Sequence, residues 1–250
     1  MKRFILLVTM VILLPVTDAT AGDIYWYLAV SMAKPGGEVV ARFNQQAGGD
    51  RVLLILGGSG QLLSKIELAR RGDFYTPASD DFLIKASDKG LVQSQRLLLY
   101  QKPVFGVSRA GHLKIRAFSD LYRPGVRLAL GNAKTMALGA AYLQIEERMG
   151  RSLAGRIRAN SQLEAINISQ IVNYLRADVV DAGIIFDTVA RANRLDYVEI
   201  PESYNSPVGS YFIRLVFSTG SEASLERFET FLFQQTRIFA KHGFQLVKTP

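Results

Sequence analysis

Cysteine is missing from this sequence altogether, which excludes disulfides, thiolate nucleophiles and thiolate metal sites together. Histidine is scarce: His112 and His242 are the only two and stand far apart, a spacing that builds no metal-ligand set. The chain is basic, with a formal charge of +8, yet it has no run of five or more cations and Arg70-Arg71 is its densest pair. That pattern disfavours a nucleic-acid-binding arm, while a basic surface raises the encounter rate with anions of any kind. Internal repeats and low-complexity segments are also missing. No apolar run reaches the roughly 20 residues that span a bilayer, since the longest, Phe4 to Leu14, is interrupted by Thr9 and stops at Pro15.

What is present begins with a separate N-terminal unit. Lys2 and Arg3 precede the apolar stretch, and Ala19-Thr20-Ala21 supplies small residues for cleavage. This predicts a secretory signal peptide over residues 1–21, cut after Ala21. With no cysteine there is no lipobox, so the expected product is free and soluble in the periplasm. Its removal takes away two cations, Lys2 and Arg3, and one anion, Asp18, leaving +7. With 48% hydrophobic and 21% charged residues, the remainder has enough apolar matter for a core without covalent staples.

Strand and helix signals alternate along the chain. Ile24 to Val30 is apolar, aromatic and uncharged, as a strand buried on both faces must be. A helix with Pro35 in its first turn follows. Val52 to Leu56 predicts a second strand, Gly57-Gly58-Ser59-Gly60 a turn, and Gln61 to Ala69 a helix with Leu62, Leu63, Ile66 and Ala69 on one face. Further helices are expected at Asp80 to Lys89, Met136 to Met149, Ile168 to Leu175 and Ser224 to Lys241. Further strands are expected as one long strand through Leu97–Tyr100 and Pro103–Val107, and at Arg127–Leu130, Ala182–Phe186 and Ser210–Phe217. Such alternation predicts two α/β lobes, the first made of 22–102 with 207–250 and the second of 103–206, joined by crossovers near 101–103 and 205–209.

The glycine-rich turn has the strongest local chemistry. The first N–H groups of a helix have no intrahelical partner, glycines at 57, 58 and 60 let backbone amides converge, and the Ser59 hydroxyl adds a donor. The same residues also suit a plain tight turn with Ser59 as N-cap. A nucleophile elbow is not matched, because position 61 is Gln where glycine is needed. A nucleotide-phosphate loop is not matched either, because Gln61-Leu62 follows Gly60 where Lys and Ser/Thr are needed. An exported hydrolase using Ser59 thus remains an alternative with little behind it. Ser31 ends the first strand beside a second helix start, so two serines on adjacent β-α units converge above the carboxyl edge of one sheet, where open α/β sheets bind ligands. Asp80-Asp81 is expected to cap a helix after Ser79, Trp26 to sit in the core, and His112 to lie in a solvated loop.

In these motifs the chain resembles the periplasmic molybdate-binding proteins of ABC importers. The resemblance runs in order through Ala29-Val30-Ser31, Gly57-Gly58-Ser59-Gly60 with Ile66-Glu67, Gly72-Asp73-Phe74, Lys89-Gly90-Leu91-Val92, Leu128-Ala129-Leu130-Gly131, Asp181-Ala182-Gly183-Ile184-Ile185-Phe186 and His242-Gly243-Phe244. It implies a two-lobed type II periplasmic binding protein fold, each lobe a mixed sheet flanked by helices, with the ligand in the cleft between them. It also implies an oxyanion ligand, molybdate or tungstate first, held by Ser31, Gly58 and Ser59 from one lobe and by backbone at Leu138 and Ile168 from the other. The family's ligand-binding tyrosine falls at Phe186, which has no hydroxyl. Ser169, Asn167, Thr135 and Tyr204 are the replacement donors, with nothing in the sequence to choose between them. A hydrogen bond to a charged group contributes about 1.5–3 kcal/mol, so the missing hydroxyl corresponds to roughly 10- to 100-fold in affinity. The implied partners are a small oxyanion and a membrane permease, with no nucleic acid, cofactor or resident metal, no enzymatic step, and a monomer as the working form. An orphan binding protein or sensor for a different anion, on the same fold, is the alternative that Phe186 motivates.

Overall fold

The computed structural model describes residues 22–46 and 48–247; the expected signal peptide lies outside them. β1 (Asp23–Ala29) and β2 (Arg51–Gly57) run parallel, and β1 has β3 (Phe74–Thr76) on its other side, so it is an inner strand. Its uncharged Ile24-to-Ala29 run is explained by that position. Ile24, Trp26 and Leu28 are fully buried, and the indole N–H of Trp26 donates to Thr76 Oγ1 at 2.8 Å. Trp26 packs edge-on against Phe212 and Phe228, which puts it in the core as the sequence suggested. A single 3₁₀ turn, Val30–Met32, leads into α1 (Ala33–Gln46). Gly36 in that helix is needed for close packing, because a Cβ there would meet the Leu28 side chain at 2.2 Å.

α2 (Ser59–Ala69) starts two residues earlier than its hydrophobic spacing predicts. α3 (Asp80–Asp88) begins at the expected residue, but the buried Ser79 hydroxyl makes no capping bond; Asp80 Oδ1 accepts from the Asp81 N–H at 3.2 Å. β4 (Val92–Gln101) and β5 (Pro103–Val107) are two strands where the sequence suggested one. Only Lys102 separates them, and they enter different sheets. Pro103 cannot donate to a ladder, which suits the first residue of a new strand.

The second sheet contains β5, β6 (Leu128–Gly131), β7 (Ser161–Ala165), β8 (Ala182–Phe186) and β9 (Asp196–Glu199), in the order β7-β6-β8-β5-β9. β7 and β9 are short edge strands with alternating or polar sequence, too weak in pattern to be found beforehand. α4 (Ala137–Ala159), α5 (Ile168–Arg176) and α6 (Asp187–Asn193) cover this sheet. α4 is longer than expected because a second helical segment continues past Gly150, whose φ of 77° interrupts the helix. The chain then returns through β10 (Val208–Leu215), α7 (Glu222–Gln234), α8 (Arg237–Lys241) and β11 (Gln245–Leu246). The expected final helix is therefore two helices, split at Gln235 and Thr236. The first sheet has the order β11-β4-β10-β3-β1-β2. The molecule is a two-lobed mixed α/β structure in which each lobe holds one sheet flanked by helices.

Candidate ligand-binding site

Register brings the two serines together. Ala29 of β1 stands opposite Gly57 of β2, so Ser31 and Ser59, each two residues further on, leave the same carboxyl edge side by side. Ser59 is the first residue of α2 and Gly58 its N-cap, which corrects the alternative of Ser59 as the cap. The Gly58 N–H is taken by Gln61 Oε1 at 3.1 Å, so that amide is not free for a ligand. Ser59 Oγ accepts from the Ala78 N–H at 3.0 Å, and Tyr75 OH donates to the Ser59 carbonyl at 2.8 Å. Burial raises the Tyr75 pKa well above its usual value, which keeps it a neutral donor. With Ser59 Oγ already an acceptor, its own proton is left to donate. Ser31 Oγ is buried and has no hydrogen-bond partner among the described residues.

The second lobe contributes helix starts. Leu138 lies in the first turn of α4, Ile168 is the first residue of α5 and Phe186 is the N-cap of α6. Ser31, Gly58, Ser59, Leu138, Ile168 and Phe186 all line one cavity of about 20 Å³ between the lobes. The backbone N–H groups of Ser59, Leu138 and Ile168 have no acceptor among the described residues. The positive ends of α2, α4 and α5 therefore meet two serine hydroxyls at one point. No ionisable side chain lines this cavity. Such a wall can hold an anion by dipoles and charge-assisted hydrogen bonds, with size as the remaining filter.

None of the suggested replacement donors for the missing tyrosine hydroxyl reaches this cavity. Asn167 caps α5 by accepting from the Gln170 N–H at 3.1 Å. Thr135 Oγ1 lies 3.5 Å from Asn132 Oδ1, and Tyr204 packs on the Phe118 ring. Ser169 faces a neighbouring groove. Phe186 itself is buried and presents only carbon.

How the lobes touch has no signature in local sequence. The Gly60 N–H donates across the cleft to the Thr135 carbonyl at 3.0 Å. A Cβ on Gly60 would lie 2.5 Å from the Lys134 carbonyl oxygen, and one on Gly58 would lie 3.1 Å from that of Thr135. The glycines thus serve close approach between lobes as much as amide convergence. Their spacing was visible; their partner was not. Neither histidine is bonded to Ser59: His112 Nε2 is 3.0 Å from Asp196 and His242 Nε2 is 3.5 Å from Glu38. Among the described residues no cluster of three metal-ligating side chains occurs, and no helix is long and apolar enough to cross a membrane.

Comparison with known proteins agrees with this geometry. A Haemophilus influenzae protein named as a binding protein is 25% identical over 98% of both chains. The molybdate-binding protein ModA of Mycobacterium tuberculosis is 23% identical over 83% of this chain and 78% of its own. The periplasmic molybdate-binding protein of Azotobacter vinelandii superposes with a TM-score of 0.75 at 18% identity, covering 90% of this chain and all of the other. The profile of the bacterial extracellular solute-binding proteins matches residues 24–245, and the chain belongs to that family, with the type II periplasmic binding protein fold.

Proposed function

We propose that this protein captures a tetrahedral oxyanion, molybdate or tungstate first, outside the cytoplasmic membrane and delivers it to an ABC permease. One observation carries the proposal: unpaired N–H and O–H donors from three helix starts and two serines converge on a cavity free of ionisable side chains. Similarity to molybdate-binding proteins supports the choice of ion. Residues 1–21 serve as the export signal in this proposal. The mechanism is hinge closure, with the anion bridging the lobes and the closed form presented to the permease. No bond is made or broken, since Ser59 Oγ has the Ala78 amide for a partner where a nucleophile needs a base.

Thermal unfolding tests this. Molybdate or tungstate is expected to raise Tm where equal concentrations of sulfate and phosphate do less, by about 2.7 kcal/mol of added stability at 100 times Kd. No shift with any of the four would refute it. A shift with sulfate or phosphate alone would select the second reading, a different anion on the same fold, which Phe186 favours by removing the expected hydroxyl.

A further inference from the structure

The small cavity is not isolated. Val30, Ser31 and Ile168 also line a second cavity of about 290 Å³ that continues between the lobes. Its size is near the lower end of small-molecule sites, roughly 300 Å³. Its walls differ in kind from those of the oxyanion cavity. Val172, Val189, Ala192 and Phe244 supply carbon, and two cations line it from opposite lobes, Lys34 from α1 and Arg176 from α5.

Neither cation has a carboxylate partner among the described residues, whereas the nearby Glu38 is engaged by Arg42 and His242. Arg176 stands in the last turn of α5, where a cation complements the helix dipole. Lys34 has no such reason. It stands in the first turn of α1, which has no acidic residue, and there a cation opposes the dipole and adds to its positive potential. Two free cations facing an apolar floor match a ligand with a carbon body and a second negative charge. The buried, unpartnered Ser31 hydroxyl marks the junction of the two cavities.

We propose that the site also takes an organic oxyanion, a small phosphorylated carboxylic acid, with its tetrahedral group at Ser31 and Ser59 and its carboxylate between Lys34 and Arg176. This rests on the oxyanion function proposed above and extends it to a substrate class. The test is calorimetric titration of the mature chain with 3-phosphoglycerate, inorganic phosphate and molybdate, repeated on the double variant Lys34→Gln/Arg176→Gln. In the unaltered protein 3-phosphoglycerate should bind at least tenfold more tightly than phosphate, as one further charge-assisted hydrogen bond implies. In the double variant the ratio of the two affinities should fall to about one. Ratios near one in both proteins, or an unchanged ratio in the variant, would overturn the proposal. Binding of molybdate without a preference for 3-phosphoglycerate defeats the groove alone, whereas no binding of any of the three defeats the oxyanion site as well.

Discussion

Replacing Gly60 by alanine separates closure of the cleft from stability of the lobes. Gly60 is the second residue of α2 and its φ is not positive, so alanine is at ease there and favours the helix by up to about 1 kcal/mol. The main obstacle lies across the cleft: the new Cβ would stand 2.5 Å from Lys134 O and 2.8 Å from Thr135 Cα, both backbone of the other lobe, while within its own lobe it meets the Phe82 ring edge at 3.0 Å, a tight contact that a small shift of the ring relieves. Overpacking of this kind costs about 1–3 kcal/mol. Loss of the Gly60 N–H to Thr135 O bond adds about 0.5–1.5 kcal/mol. Together they shift the open–closed equilibrium by about 1.5–4.5 kcal/mol, or roughly 10- to 2,000-fold, and affinity for a ligand bound only by the closed form falls with the closed fraction. Small-angle scattering should show a larger radius of gyration for Gly60→Ala, while its Tm without ligand is unchanged or slightly higher. Calorimetry with molybdate should show the matching loss of affinity. If scattering and affinity both equal those of the unaltered protein, Gly60 is not a closure contact.

The two serines should behave differently on removal. Ser31→Ala deletes a hydroxyl with no protein partner, so Tm should hold while molybdate affinity drops about 10- to 100-fold; Ser59→Ala should lose affinity and also about 1–3 kcal/mol of stability by stranding the buried Ala78 N–H, both readable by denaturant titration with and without ligand. Phe186→Tyr should raise molybdate affinity by about 10- to 100-fold if the added hydroxyl finds the anion, and titration calorimetry showing no gain would place the lost donor elsewhere. In the second lobe, burial works to raise the Asp181 carboxyl, but hydrogen bonds from the Arg127 and Lys114 side chains and the Arg127 amide prevail and hold it at about 2, below its ordinary 3.8. A folded-state pKa below the unfolded one gives stability that is complete above about 4 and lost as pH falls towards 2, here about 2 kcal/mol. Asp181→Asn should therefore flatten the acid limb of the stability–pH curve between those values in urea titrations.

Much of the site was legible because it follows from short-range rules. The two strands read from sequence, Ile24 to Val30 and Val52 to Leu56, with a helix after each, are enough to place Ser31 and Ser59 together, since parallel register does the rest. Leu138, Ile168 and Phe186 came from resemblance alone, and they line the same cavity because the second sheet folds as that resemblance implies. What could not be read depends on surfaces from distant parts of the chain. The Gly60 to Thr135 bond and the shared cavity lined by Lys34 and Arg176 exist only once the lobes are apposed, and no periodicity records that. The division between β4 and β5 was hidden for another reason: both halves have the composition of a buried strand, and one residue, Lys102, marks the change of sheet.

That single residue has a mechanical consequence. Its N–H donates to Asp187 Oδ1 at 3.0 Å and its carbonyl accepts from the Asp187 N–H at 2.9 Å, while the Pro103 carbonyl accepts from Asn205 Nδ2, in the segment before β10, at 2.8 Å. Lys102 is thus riveted to the second lobe, and the torsions left to turn at this crossover are the few around Gln101. A pivot this short behaves as a stiff axle with little slack for twist or slide. Movement at this crossover is then close to rotation about one axis, so a small difference in ligand size within the cleft becomes a larger displacement at the outer rims of the two lobes.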